Sequence, residues 1–560
     1  MKLKYMKKHA IALLIQLLLG VHALPSPAFS AETELNVTFY DEAEDLAFLA
    51  QHENESMHFK LLNSKVLNKT ALWAPFEQAL TRFTEQDYFD LKQFIIDRSI
   101  NEIQQAVNSG SLSYEELVTF YIYRIQRIES DNNRFINGII SLNPDAINRA
   151  RQLDEIRQSG SEVPLDSLFG IPILLKDNIG FAGLPTTVGA LALENNFTTN
   201  AFVAERLLEK GAIVLGKANL SEWAYFFCTN CPSGYSAMGG QTLNPYGRFD
   251  FGTGGSSSGS GASVAANYAA VAVGSETSGS ILSPSSANSL VGLKPTTGSL
   301  SRTGVVPVAS SLDTVGPMAR SVADVVTLFN AMVGYDQQDI SMPLISADMR
   351  LSYREIALAD KRLGALESYA DNNFYQNAVS LLSENAAVIV DIDFQAERDS
   401  RFSEFLGGEM VRDLARYLEE HSSSQVGIDS VISLKEFNNR DLDLRAPYGQ
   451  ALIDMMAEIN LSEEGIEGLR AELQGWGRGI LDQLFYENNI EVLVGVNQHQ
   501  ASMAALANYP ALTIPMGYSE NGQPIGLTFI APSFQEQLLI DVGVQFEKLI
   551  QARQGPVNYR

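Results

Sequence analysis

Gly254-Gly255-Ser256-Ser257-Ser258-Gly259-Ser260 and Gly274-Ser275-Glu276-Thr277-Ser278-Gly279-Ser280-Ile281 are two glycine–serine clusters near the middle of a 560-residue chain, with Ser256 and Ser280 24 positions apart. By composition the first cluster reads as a flexible linker. It lies between apolar segments, however, where a linker does not belong. A glycine-rich turn ahead of Ser280 has a chemical use, because main-chain N–H groups aimed at one point make an oxyanion hole. Small residues also let a substrate approach the backbone closely. Upstream, Gly170-Ile171-Pro172-Ile173-Leu174-Leu175-Lys176-Asp177-Asn178 ends an apolar run on a lysine. Two serines and a lysine can form a hydrolytic site without histidine.

A serine nucleophile needs a base. Lys176 can serve only when neutral, so its pKa must fall from its ordinary value of about 10.4. Burial against Ile171, Ile173, Leu174 and Leu175 would lower it by desolvating the ammonium. The other reading of Lys176 is a structural lysine paired with Asp177, and local sequence leaves both open. Of the six histidines, His9 and His22 lie in the N-terminal segment, His52 and His58 in an acidic stretch, and His421 in a charged helical one. None of these, nor His499 between Gln498 and Gln500, lies in a recognisable catalytic motif. The strand-to-helix serine elbow, G-x-S-x-G, is matched only loosely by Gly279-Ser280-Ile281.

Outward from the clusters, hydrophobic periodicity alternates between helix and strand. A helix is expected over Tyr114–Glu129, with Ser113 as its cap and Glu116 at the capping-box position. Strands are expected at 139–142, 171–175, 212–215 and 271–273, and helices at 202–210 and 262–270. This alternation predicts an α/β layer structure. Residues 334–489 read as helix-rich and charged, with helices at 402–420 and 452–486, and can form a cover over the site. Strands at 490–496, 511–516 and 525–530 and a last helix at 535–550 close the fold. No repeat or disordered linker divides the chain, so one large domain over 95–560 is expected. It is preceded by an acidic, irregular extension over 31–94, with helices at 42–52 and 74–82.

The N-terminus reads as a cleaved secretory signal over 1–30. Lys2, Lys4, Lys7 and Lys8 precede an apolar stretch over 10–20, and Ala28 and Ser30 make a small-residue cleavage pattern before Ala31. The apolar stretch is shorter than the roughly 20 residues that span a bilayer. An exported protein, periplasmic or secreted, is expected, with no membrane association after cleavage. The formal charge is −26. Without residues 1–30 it is close to −30, from 36 basic and 66 acidic residues. Such a surface repels nucleic acid and anionic membranes, so neither is an expected partner. The two cysteines, Cys228 and Cys231, can close a small-loop disulfide, remain free thiols, or act in redox chemistry. A zinc site would need further ligands nearby.

These stretches together resemble the amidase signature enzymes, serine hydrolases with a Ser-cisSer-Lys triad. The resemblance extends over about 99–552. Besides the clusters and the lysine run it rests on Pro185-Thr186-Thr187, Gly216-Lys217-Ala218-Asn219-Leu220-Ser221-Glu222-Trp223 and Gly239-Gly240-Gln241 with Asn244-Pro245-Tyr246. Val291-Gly292-Leu293-Lys294-Pro295-Thr296, Asp313-Thr314-Val315-Gly316-Pro317-Met318 and Ile514-Pro515-Met516-Gly517 followed by Gly522-Gln523-Pro524-Ile525-Gly526-Leu527 complete the match. The variants around Asn219–Ala224 and Glu276–Ile281 look most like the bacterial peptide amidases of that family.

The resemblance implies Ser280 as acylated nucleophile, Ser256 as bridging serine after a cis peptide bond, and Lys176 as base. It implies an oxyanion hole from the main chain of Thr277, Ser278, Gly279 and Ser280. It implies a single α/β domain with a central mixed sheet surrounded by helices, and no cofactor or metal. The substrate class it implies is a small-molecule or peptide amide. Three positions depart from the common pattern. Glu276 stands in place of aspartate and Ser278 in place of glycine, which would strain the hole if that position needs a positive φ. Leu282 stands where many members carry arginine, so a substrate carboxylate would lose a partner, and neutral or cationic amides are expected to be preferred. An aryl or acyl amide hydrolase with esterase activity, a non-catalytic binding protein of the same fold, and the ammonia-transferring subunit of a tRNA amidotransferase are the rival readings. The acidic charge and expected export speak against the last.

Overall fold

The helix Tyr114–Glu129 begins as its sequence requires, with Ser113 accepting from the Glu116 N–H and the Glu116 carboxylate accepting from the Ser113 N–H. The structure, a computed structural model, describes residues 40–160, 163–395 and 399–560. The expected signal over 1–30 and the start of the extension lie outside the described residues.

Among the described residues thirteen strands follow in chain order: β1 (Ile139–Leu142), β2 (Pro172–Lys176), β3 (Ile213–Ala218), β4 (Tyr235–Ser236), β5 (Gly240–Gln241), β6 (Val271–Glu276), β7 (Val291–Lys294), β8 (Thr314–Ala319), β9 (Arg362–Leu366), β10 (Val388–Ile392), β11 (Val492–Val496), β12 (Ala511–Tyr518) and β13 (Pro524–Ile530). β4 and β5 form a small ribbon. The other strands form one 11-stranded sheet in the order β1-β3-β2-β6-β8-β7-β12-β13-β11-β9-β10. β2 pairs in parallel with β3 and β6 at one end, β9 pairs in parallel with β10 and β11 at the other, and the middle is antiparallel. The sheet is mixed and helices surround it, the fold class expected. Both flanks of β2, β3 and β6 are covered, so every residue of these strands is buried.

The first serine cluster is not a linker. The expected helix over 262–270 starts earlier, at Ser258, and runs over Ser258–Ala265 with all its residues buried. It packs backbone against backbone: a Cβ at Gly259 would stand 2.4 Å from the Asn219 carbonyl oxygen and 2.6 Å from that of Gly138. Glycine and serine are there because nothing larger fits.

Two other expectations are revised. The cover region over 334–489 is not all helix, since β9, the helix Asn373–Glu384 and β10 form a crossover unit that extends the sheet. These strands are short and lie toward the sheet's end, and β10 is half exposed although it begins on the apolar run Val388-Ile389-Val390. The single helix expected over 452–486 is two, Ala451–Glu458 and Glu463–Asn488, with Ser462 capping the second. The first of these packs on the helix Phe402–Glu420, whose apolar face joins a core with Trp223, Phe227 and Leu312. Residues 42–560 form one compact unit. The stretch from Glu42 onward is fastened within it: Glu42 accepts from Asn63 N–H, and the Leu62 carbonyl accepts from Gln241 N–H and the Asn137 side chain.

Candidate active site

Lys176 ends β2 between β3 and β6, where its neighbours on both sides are buried strand. Its Nζ donates to Ser256 Oγ at 2.7 Å, to Ser275 Oγ at 2.9 Å and to the Ser275 carbonyl at 3.0 Å. Lys176 and Ser256 are both 0 % exposed. Desolvation lowers the lysine pKa to about 7, opposed by the negative charges of Asp313 and Glu276. Nothing in the local sequence singles out Ser275. It is held by Asn178, whose side-chain N–H donates to Ser275 Oγ at 2.9 Å.

Asp177 is not the partner of Lys176. Side chains alternate along a strand, so Lys176 faces one side of the sheet, while Leu175 and Asp177 face the other. Leu175 sits in register with Lys217 of β3. Lys217 Nζ accordingly lies 3.2 Å from Asp177 Oδ1, with both side chains fully buried. Lys217 also donates to Thr186 Oγ1 at 3.0 Å, and the Thr187 N–H and hydroxyl donate to Asp177. The segments Lys176–Asn178, Pro185–Thr187 and Gly216–Asn219 therefore meet in one buried ion pair. Lys217 is the residue that sequence reasoning misses, although its place opposite a strand-end aspartate is a signal for it.

The two serine clusters lie side by side. The Gly255–Ser256 peptide bond is cis, the Ser257 N–H donates to the Ser280 carbonyl at 3.1 Å, and Ser221 N–H donates to the Ser256 carbonyl at 3.0 Å. Ser280, 8 % exposed, reaches the wall of a cavity of about 460 Å³ together with Thr277, Ser278 and Gly279. In this turn the left-handed backbone falls at Gly279, φ +90°, and Ser278 is not among the positive-φ residues. A side chain at 278 therefore causes no strain there, and its hydroxyl meets Ser502 Oγ at 3.0 Å.

Glu276 shapes the turn. Its Oε1 accepts from the Gly279 N–H at 2.7 Å, and its Oε2 from the N–H groups of Ile281 at 2.7 Å and Leu282 at 3.0 Å. Of the four residues assigned to the oxyanion hole, Gly279 thus already has its N–H engaged. The N–H groups of Thr277, Ser278 and Ser280 find no acceptor among the described residues. Thr277 is also tied by its hydroxyl to Asp313, which burial pushes up to about 6 despite bonds from Thr277 and from the Val308 and Ala309 N–H groups.

Leu282 does not face the cavity. It is fully buried and packs in a core with Leu366, Ile392 and Leu493. The expectation that it adjoins the substrate is therefore corrected: the helix starting at Leu282 turns this side chain toward the sheet. His499 is exposed, and its Nδ1 meets the Tyr369 hydroxyl at 2.9 Å. Cys228 and Cys231 form a disulfide, with Cα atoms 5.6 Å apart, and Cys228 touches the cavity rim. Phe402, Leu406 and Leu452 of the helical region and Phe226 and Val308 give the cavity an apolar side, and no lining side chain among the described residues carries a charge. The described residues also hold no group of His, Cys, Asp and Glu placed to bind a metal ion.

Compared with known proteins, this fold places the molecule among the hydrolases of amides. The family model described as Amidase matches residues 116–458, and the chain belongs to that family. A protein of Arabidopsis thaliana described as a probable amidase is 34% identical, over 82% of this chain and 92% of its own. The crystal structure of an amidase family protein from Bacillus anthracis superposes with a TM-score of 0.82 at 33% identity, over 88% of this chain and 99% of that one. The native peptide amidase from Stenotrophomonas maltophilia does so with a TM-score of 0.75 at 33% identity, over 82% and 98%. The protein is an amidohydrolase.

Proposed function

We propose that the protein is an exported amidase that cleaves carboxamides of peptides or amino-acid amides through an acyl-enzyme on Ser280. The observation that carries this is the buried Lys176 amine 2.7 Å from the Ser256 hydroxyl. In its neutral form the amine offers its lone pair to the Ser256 proton, while its N–H groups remain bonded to Ser275. Ser256 in turn takes the Ser280 proton as Ser280 Oγ bonds to the carboxamide carbon. The oxygen left negative is held by the N–H groups at Thr277, Ser278 and Ser280. The proton then returns by the same serine to the departing ammonia or amine, and water releases the carboxylate in a second round. Export rests on the basic, apolar and small-residue succession over 1–30, and it fits the Cys228–Cys231 disulfide.

Ammonia release from a panel of amides by the purified protein tests this function. The uncharged cavity lining, and not Leu282, supplies the reason for a preference by charge: a carboxylate brought beside the scissile bond would lose water without gaining a partner. Among matched amides, those lacking that carboxylate should show kcat/KM higher by roughly tenfold or more, a gap of about 1.4 kcal/mol or above. A preference for carboxylate-bearing substrates at both low and physiological salt would contradict it.

The pH dependence has a definite sign. A base with pKa near 7 is neutral above that value and charged below it. Activity on an uncharged amide should therefore rise from acid and level off above neutrality. At pH 5 it should be down roughly a hundredfold from its plateau, two units below a single essential pKa. A rate maximum near pH 4 would exclude a neutral lysine base.

A further inference from the structure

A second cavity, of about 290 Å³, adjoins the first and shares Tyr225, Ser233, Ser283 and Gln498 with it. Its outer wall comes from both ends of the chain: Asn54, Ser56 and Phe59 on one side, Asn497 and Gln523 on the other. The volume is that of roughly ten waters. No side chain lining it is charged among the described residues.

The N-terminal wall is well anchored. Asn54 Oδ1 accepts from the Ser56 N–H at 3.0 Å and from its hydroxyl at 2.8 Å, while Met57 and Phe59 are buried beside this turn. The next residue is held from across the fold, with Lys60 N–H donating to the Tyr448 hydroxyl at 2.7 Å and its Nζ to the Pro447 carbonyl at 2.9 Å. On the opposite wall, the side-chain amides of Gln498 and Gln523 make no hydrogen bond to a described residue. Gln498 also lies against the turn before Ser280, since a Cβ at Gly279 would be 3.5 Å from its Cγ.

We propose that this cavity is a second substrate subsite, which binds the main chain of a peptide on the N-terminal side of the scissile amide. A peptide main chain alternates N–H donors with carbonyl acceptors. Carboxamides and hydroxyls offer both, whereas an anionic or cationic ligand would find no counter-charge and an apolar one would leave these groups unpaired. The side chain of the amidated residue would enter the apolar part of the first cavity, and Gln498 stands where the two meet. The segment around Asn54–Phe59 thereby acquires a part in substrate selection. This inference rests on the peptide-amide reading of the site.

The test compares acetyl-Phe-amide with acetyl-Gly-Gly-Phe-amide on the full-length protein and on Gln498→Ala and Gln523→Ala. The longer amide should have a kcat/KM about tenfold higher in the unmodified protein, the size of one well-made hydrogen bond. Each substitution should remove most of that advantage through KM, and Gln523→Ala, whose residue lines only the second cavity, should change the short amide less than twofold. Gln523 is exposed, so its variant separates loss of binding from loss of fold. Turnover of both amides with equal kcat/KM, or equal losses on both in Gln523→Ala, would overturn the subsite and leave the amidase reading standing. Turnover of neither amide would remove that reading and the subsite with it.

Discussion

Ser280→Ala should abolish amide turnover, because it removes the cavity-wall hydroxyl on which the acyl-enzyme proposed for this protein forms. Ser256→Ala should cost several orders of magnitude, since among the described residues it removes the only hydroxyl bonded to Lys176 besides that of Ser275. Lys176→Ala should do the same by removing the proposed base. The three losses should not add, because residues that act as one unit are not independent. The double variant Ser256→Ala with Lys176→Ala should therefore be little worse than either single one. The measurement is kcat/KM for one neutral amide, with titration by a serine-directed fluorophosphonate to count competent sites. Near-normal turnover by Ser280→Ala would remove the mechanism. A folded protein that neither turns over any amide nor takes up the fluorophosphonate at Ser280 would favour a binding protein of the same fold.

Lys217→Met should destabilise the fold strongly. It leaves the Asp177 carboxylate, fully buried and bonded to Thr187, without the one cation that pairs with it among the described residues. Removing one member of a buried ion pair costs about 3–5 kcal/mol. Burial already pushes the Asp177 carboxyl above its ordinary range and the Lys217 ammonium below its own, against their mutual attraction. The uncompensated aspartate should respond by taking up a proton, so the variant should be less impaired in acid than at neutral pH. Adding Asp177→Asn should recover part of the loss, because no buried charge is then left unpaired. The check is the thermal unfolding midpoint of the single and double variants across pH 5–8. A shift no larger than that from replacing an exposed lysine would show that the pair contributes little.

Activity should fall in Lys217→Met as well, even where the protein stays folded. Asp177 follows Lys176 directly and ties the Thr186–Gly189 segment to the end of β2. Loosening it moves the strand end that carries the lysine. The effect should appear mainly in kcat, with the apparent pKa of the acid limb displaced from about 7, because the burial of Lys176 sets that value.

Local pattern made much of this legible. The cap and capping box at Ser113 and Glu116, the period of the Tyr114–Glu129 helix, and the apolar runs of β2 and β6 are written in residues a few positions apart. Short-range sterics and burial read them in the same way wherever they occur. The clusters around Ser256 and Ser280 and the lysine after its apolar run are recognisable as a set for the same reason, each being a contiguous stretch of unusual composition. What local pattern does not contain is which side of a sheet a residue faces and what comes to meet it there. Asp177 has a lysine beside it in sequence, yet the alternation along β2 and the register with β3 give it Lys217 instead. Leu282 reads from its motif as a neighbour of the substrate, but the helix it begins turns it into the core. Glu276, one substitution in a motif, takes up the Gly279 N–H and so alters which groups are left for an oxyanion. The second cavity joins residues from both ends of the chain, and only the tertiary fold brings them together. Chemistry that depends on type and spacing was determined by the sequence. Partnership across space was decided by packing, because burial forces each polar group to find a partner among whatever the fold places within reach.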